Sequence, residues 1–182
     1  MFKDSTLIKV NPLPDSRINS TGPFCVDAGI KTITPTTSGG GIFYGGNYID
    51  STGKFNPAKA SIGLNKVFYT LKDANQCRSK DSILIRVNKL PDASINSAGP
   101  FCIDAGIQTI TAKVNTNGKF YGGAFIDSSG KFNPKIASAG SHKIYYYFKD
   151  ANSCSSFDST SITVNPLPDA SITAAGPFCI DA

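Results

Sequence analysis

Val67-Phe68-Tyr69-Thr70-Leu71-Lys72, the turn Asp73-Ala74-Asn75-Gln76, and Ser82-Ile83-Leu84-Ile85-Arg86-Val87 are the stretch that decides the fold of this chain. Val67, Tyr69 and Leu71 alternate with Phe68, Thr70 and Lys72; Ile83, Ile85 and Val87 alternate with Ser82, Leu84 and Arg86. Strict alternation on both sides of a turn reads as a β-hairpin with one buried face. The same hairpin returns later, with Ile144, Tyr146 and Phe148 before Asp150-Ala151-Asn152-Ser153 and Thr160, Ile162 and Val164 after it.

Working outward, the repetition covers the whole chain. Val10-Asn11-Pro12-Leu13-Pro14-Asp15 recurs as Val87-Asn88-Lys89-Leu90-Pro91-Asp92 and as Val164-Asn165-Pro166-Leu167-Pro168-Asp169, a period of 77 residues. The two full copies agree at about three positions in five without insertion or deletion. A fixed period of this kind is the mark of a repeat array. It divides the sequence into the last strand of a preceding repeat (1–10), two repeats (11–88 and 89–165) and the start of a following one (166–182).

Each copy contains further strand signals. Arg17-Ile18-Asn19 begins one, Ile30 to Thr34 forms another, and Ile42-Phe43-Tyr44 follows the turn Ser38-Gly39-Gly40-Gly41 (Asn115-Thr116-Asn117-Gly118 in the second copy). All 13 acidic residues are Asp, and Gly and Pro recur throughout, which argues against long helices. The expected fold is all-β: tandem immunoglobulin-like (PKD-like) sandwiches of about seven short strands, joined by stiff proline linkers into a semi-rigid rod. Each sandwich would add roughly 35–40 Å, from strand rise plus linker.

Composition excludes several functions. The net charge is +5, spread as nine Lys/Arg against five Asp in residues 10–86 and seven against five in 87–163. No basic run or stripe appears, so no nucleic-acid partner is expected. No stretch approaches the about 20 apolar residues of a membrane helix, so no membrane insertion is expected. The single histidine, His142, is replaced by Asn65 in the other copy, and no nucleophile elbow or phosphate loop occurs. No catalytic residue and no cofactor are expected.

Cys25 and Cys77 recur as Cys102 and Cys154, and Cys179 repeats the first position. With no nearby histidine and no Cys-x-x-Cys pair, the pattern reads as disulfides in an oxidising compartment. Two pairings are open. Within a copy, Cys25 would join Cys77 and Cys102 would join Cys154. Strand polarity favours the opposite ends of neighbouring copies, Cys25 with Cys154, because the ends of one sandwich lie roughly 20 Å apart and a disulfide needs Cα atoms within about 7 Å. The aspartates occupy repeated positions and read as turn formers; the alternative is calcium, with Asp15 or Asp92 as the candidate ligands at the linkers. Phe68, its counterpart Tyr145, and Tyr147 face outward as a candidate sugar-binding or adhesive strip.

Val-Asn-Pro-Leu-Pro-Asp, the run from Gly45-Gly46 to Gly53-Lys54-Phe55-Asn56-Pro57-Ala58, Gly63, and Tyr69 followed by Lys72-Asp73-Ala74-Asn75-Gln76-Cys77 resemble repeats of the giant surface proteins of gliding Bacteroidetes, the gliding-motility adhesins. The resemblance implies the non-catalytic repeat region of a secreted adhesin, exported by type IX secretion and displayed outside the bacterial outer membrane. Its partners would be neighbouring repeats of the same chain, an external surface or polysaccharide, and the cell-surface motility or secretion machinery. It also implies O-glycosylation at Asp-Ser motifs, here Ser5, Ser51, Ser82 and Ser159. The alternative function is a carbohydrate-binding accessory module of a secreted hydrolase.

Overall fold

The computed structural model describes residues 3–114, 117–173, 176 and 180. Its ordered elements are strands, apart from a 3-10 turn at Pro57–Lys59 and one helical turn, α1, at Pro134–Ala137. The chain divides into two compact units: residues 1–91 with 149–155, and residues 92–148 with 156–182.

In the first unit, the expected hairpin is β5 (Gly63–Lys72) paired antiparallel with β6 (Arg78–Asn88) in continuous register, from Gly63 opposite Val87 to Lys72 opposite Arg78. β3 (Ile42–Tyr44) pairs antiparallel with β5, and β1 (Phe24–Cys25) pairs parallel with the end of β6. The sheet order is therefore β1-β6-β5-β3. A second, two-stranded sheet joins β2 (Lys31–Thr32) to β4 (Lys54–Phe55). Their shared core contains Ile33, Phe43, Phe55, Val67, Tyr69, Leu71, Ile85 and Val87.

Tyr69 sits inside this core, and its hydroxyl accepts a hydrogen bond from the Gly41 amide at 3.0 Å. Burying a phenol without a partner would cost free energy, so the pairing makes the position tenable. Gly53 closes the turn into β4 at φ 89°, and a Cβ there would strike the Ile33 carbonyl oxygen. The left-handed backbone and the missing side chain are both needed.

The second unit repeats the pattern 77 residues on. β7 (Phe101–Cys102), β12 (Ser155–Asn165), β11 (Gly140–Lys149) and β9 (Lys119–Tyr121) form one sheet in that order. β8 (Gln108–Thr109) and β10 (Lys131–Phe132) form the smaller one. Phe120, Phe132, Ile144, Tyr146, Ile162 and Val164 fill the core.

Two expectations are corrected. The segment Arg17-Ile18-Asn19 is no strand but a single bridge from Ile18 to Pro35. Two backbone bonds flank that bridge, Asn19 donating to the Thr34 carbonyl (3.0 Å) and Thr36 to the Arg17 carbonyl (2.8 Å). The Ile18 amide, facing the other way, donates to the Asp81 carboxylate (3.0 Å), as the Ile95 amide does to Asp158 (3.1 Å). Phe24–Cys25 is a parallel strand at the edge, so each four-stranded sheet is mixed, and among the described residues each unit has six paired strands where about seven were expected. Residues 3–10 pair with nothing among the described residues, and Leu7, Ile8 and Val10 stand exposed. A strand without a neighbour leaves its backbone groups to water.

Candidate functional site: a stapled hairpin tip and a lysine-aromatic face

Two aspartate-built turns carry the hairpin cysteines. At the tip of β11 and β12, the Asp150 carboxylate accepts from the amides of Asn152 and Cys154, both at 2.9 Å. The Asp150 amide donates to the Cys154 carbonyl (2.9 Å), and Ser153 takes φ 64°. The tip of β5 and β6 is built alike: Cys77 donates to the Asp73 carboxylate (2.8 Å), Asp73 to the Cys77 carbonyl (3.0 Å), and Gln76 takes φ 67°.

The other cysteine of each copy sits on the short parallel strand. Cys25 lies opposite Asn88 and Cys102 opposite Asn165. Val26 donates to the Asn88 carbonyl and Ala28 to the Cys25 carbonyl, at 2.9 and 3.0 Å; Ile103 and Ala105 make the same bonds at 3.0 and 3.1 Å.

The structure joins Cys25 to Cys154, with Cα atoms 5.6 Å apart and Cys154 fully buried. Cys77 and Cys102 are free thiols, and Cys179 lies outside the described residues. The pairings within a copy, Cys25–Cys77 and Cys102–Cys154, are not formed. The reason is strand length. Cys25 stands beside Asn88, at one end of the 11-residue β6, and Cys77 precedes Arg78 at the other. At about 3.3 Å per residue those ends are some 33 Å apart, far beyond the reach of a disulfide. Cys102 and Cys154 are separated in the same way along β12.

The calcium candidates are otherwise engaged. Both Asp15 carboxylate oxygens accept from the Arg17 guanidinium, at 2.9 and 2.8 Å. That guanidinium, with the Arg17 amide, holds the Asp15 carboxyl down to about 2. Asp92 accepts from the Ser94 hydroxyl and amide, which lower its pKa, and lies 4.0 Å from the Lys113 ammonium. Among the described residues no three His, Cys, Asp or Glu side chains group as a metal site. Asp50 and Asp127 close identical turns onto residues 54 and 131 and are likewise held low, chiefly by those backbone amides.

His142 bonds the Ser138 carbonyl at 2.8 Å; in the other copy Asn65 bonds the Ser61 amide and carbonyl. The two residues perform one task, closing the entry to the long strand. The glycosylation candidates differ in access. Ser5 and Ser51 are exposed, whereas Ser82 and Ser159 are half-buried on β6 and β12.

The outward face of β5 and β6 shows what the sequence reading left out. Phe68 stacks on Tyr44, with ring centres 5.1 Å apart and planes at 12°, and Lys80 lies over both rings at 4.4 and 5.3 Å. Lys66 covers Phe68 from 5.1 Å. Lys72, Arg78 and Arg86 complete five exposed cations on this face, with no carboxylate among its outward positions. In the second copy, Tyr121 and Tyr145 stack at 5.3 Å with Lys143 over Tyr145, and Tyr147 is exposed. There Ser155, Phe157 and Thr163 replace Arg78, Lys80 and Arg86. The aromatic pair repeats, whereas of the five cations only Lys66 and Lys72 do, as Lys143 and Lys149. Same-face neighbours in a hairpin register were the signal that could have revealed these contacts.

No family model and no curated protein matches this chain. Among solved structures it is similar to the extracellular domain of protocadherin gamma B4, at TM-score 0.31 and 13% identity over 82% of this chain and 32% of that one. It is also similar to extracellular cadherin domains 3–6 of protocadherin gamma B2, at TM-score 0.26 and 11% identity over 84% and 43%. The chain thus spans less than half the length of either, and similarity at these scores carries no statement about fold or function. Among the described residues no helix is long and apolar enough to cross a membrane.

Proposed function

We propose that this chain is a non-catalytic repeat region of a giant secreted cell-surface adhesin, in which tandem immunoglobulin-like repeats serve as an extended stalk for surface adhesion and gliding motility. The observation that carries the reading is the Cys25–Cys154 bond, which ties the head of one sequence copy to the closing hairpin of the next. Such a bond resists extension along the chain, which suits a load-bearing element better than a diffusing enzyme. The disulfide also fits an oxidising, extracellular setting. The repeated turn aspartates and the strict 77-residue spacing support the same reading, since what is preserved between copies is architecture. Export by type IX secretion and O-glycosylation at Ser5 and Ser51 belong to this proposal through the sequence resemblance.

The reading is tested on cells. An antibody raised against the chain is expected to label intact, unpermeabilised cells and to reduce their attachment to a surface. Labelling only after permeabilisation overturns it.

A second reading, the carbohydrate-binding accessory module of a secreted hydrolase, draws on the stacked Tyr44–Phe68 and Tyr121–Tyr145 pairs and the lysines over them. Aromatic faces beside cations suit acidic polysaccharides. Saturable glycan binding by this chain, lost in Phe68→Ala and Tyr145→Ala variants, favours that module.

A further inference from the structure

The two free thiols stand on half-sites built like those of the bonded pair. Cys77 occupies the same aspartate-closed turn as Cys154, and Cys102 the same parallel-strand position as Cys25, with matching backbone bonds. The difference is cover. Cys154 is buried and Cys25 half-buried, whereas Cys102 is exposed and Cys77 half-buried. The linkers tell the same story. Leu90, which lines a cavity with Asp150 and Asn152 of the bonded hairpin tip, is half-buried, but Leu13 and Leu167 are 70% and 54% exposed.

We infer that Cys102 and Cys77 are the open donor and acceptor halves of the same staple, and that Cys102 bonds the Cys77 position of another copy of this repeat. Between two separate copies of the chain, the bond is head-to-tail: Cys102 of the first with Cys77 of the second. The contact joins two different surfaces, so it is heterologous and leaves a free half-site at each end for further growth. Along one continuous array the same rule gives overlapping loops. A loop opening at Cys102 starts before the loop closing at Cys154 ends, so every residue between the first and last staple lies inside at least one closed loop.

The bond needs an oxidant, and a low-molecular-weight disulfide such as oxidised glutathione supplies it. The Cys102 thiolate attacks oxidised glutathione, forming a mixed disulfide and releasing one glutathione thiolate. The Cys77 thiolate of the second chain then attacks the Cys102 sulfur and releases the other. Two protein thiols lose their protons and two electrons, and one glutathione disulfide becomes two glutathione thiols.

The inference rests on the Cys25–Cys154 bond and not on the adhesive reading, so either can fail without the other. The test uses the whole chain in a Cys179→Ser background, in a glutathione redox buffer at high protein concentration. We expect a ladder of multiples of 19.2 kDa on a non-reducing gel, with a Cys102–Cys77 linked peptide. Cys77→Ser alone and Cys102→Ser alone should each stay monomeric, and their mixture should stop at a dimer containing one of each. Peptide mapping of the retained Cys25–Cys154 bond shows that both variants are folded. Cys102–Cys102 or Cys77–Cys77 dimers, glutathione adducts alone, or monomer throughout overturn the inference.

Discussion

Pulling the chain from its two ends should reveal a hidden length that only a reductant releases. The Cys25–Cys154 bond spans a sequence separation of 129 residues. With the bond closed, force passes from Cys25 to Cys154 through sulfur, and the chain between them carries no tension. Once it is cut, that segment adds 129 residues of contour, about 430–460 Å at 3.3–3.6 Å per residue. The same loop restricts the unfolded chain, and loop-closure entropy for this length stabilises the fold by about 5 kcal/mol at most. Single-molecule force extension, with the free thiols alkylated and reductant added during the pull, reads the length directly. Steps of about 170–190 Å would mean loops of 52 residues, the spacing of Cys25 from Cys77. That result, or no change with reductant, refutes the reasoning.

Other perturbations test the parts separately. Phe55→Ala or Phe132→Ala, at side chains with no exposure, should each cost about 3–5 kcal/mol by chemical denaturation. Tyr69→Phe leaves the Gly41 amide without its partner and should cost about 1–2 kcal/mol in the same assay. The Asp15 carboxyl titrates at about 2 beside Arg17. Because this pKa lies below the ordinary carboxylate value near 3.9, the stability it contributes is complete above that value and is lost as pH falls through about 2. Arg17→Ala should raise the Asp15 pKa toward the ordinary value in an NMR titration. His142→Asn, which installs the residue found at position 65, should leave stability within about 0.5 kcal/mol of the parent, whereas His142→Ala loses the bond to Ser138 and should lower the melting temperature.

Much of this was legible in the sequence because it rests on local periodicity. The β5–β6 hairpin follows from alternation across Asp73-Ala74-Asn75-Gln76, and its buried residues Val67, Tyr69, Leu71, Ile85 and Val87 are those the alternation assigns to one face. The turn reading of Asp50, Asp73, Asp127 and Asp150 rests on the same local chemistry, since each carboxylate bonds amides two or four residues on. Non-local choices were not legible. Asp81 looks like any other repeated aspartate, yet its carboxylate reaches 63 residues back to accept from the Ile18 amide. Phe24–Cys25 shows no alternation, being two residues long, and acquires its strand character only from the parallel edge that β6 offers. Lys80 of β6 reaches the rings of Phe68 and Tyr44 on two other strands, and sequence spacing without the pairing register does not bring the three together.

The central claim is that the covalent link joins successive copies, and non-reducing peptide mapping of the purified chain with its free thiols alkylated tests it most directly. The account predicts a single linked peptide pair containing Cys25 and Cys154, with Cys77 and Cys102 recovered in alkylated form. A linked pair containing Cys25 and Cys77, or Cys102 and Cys154, contradicts it.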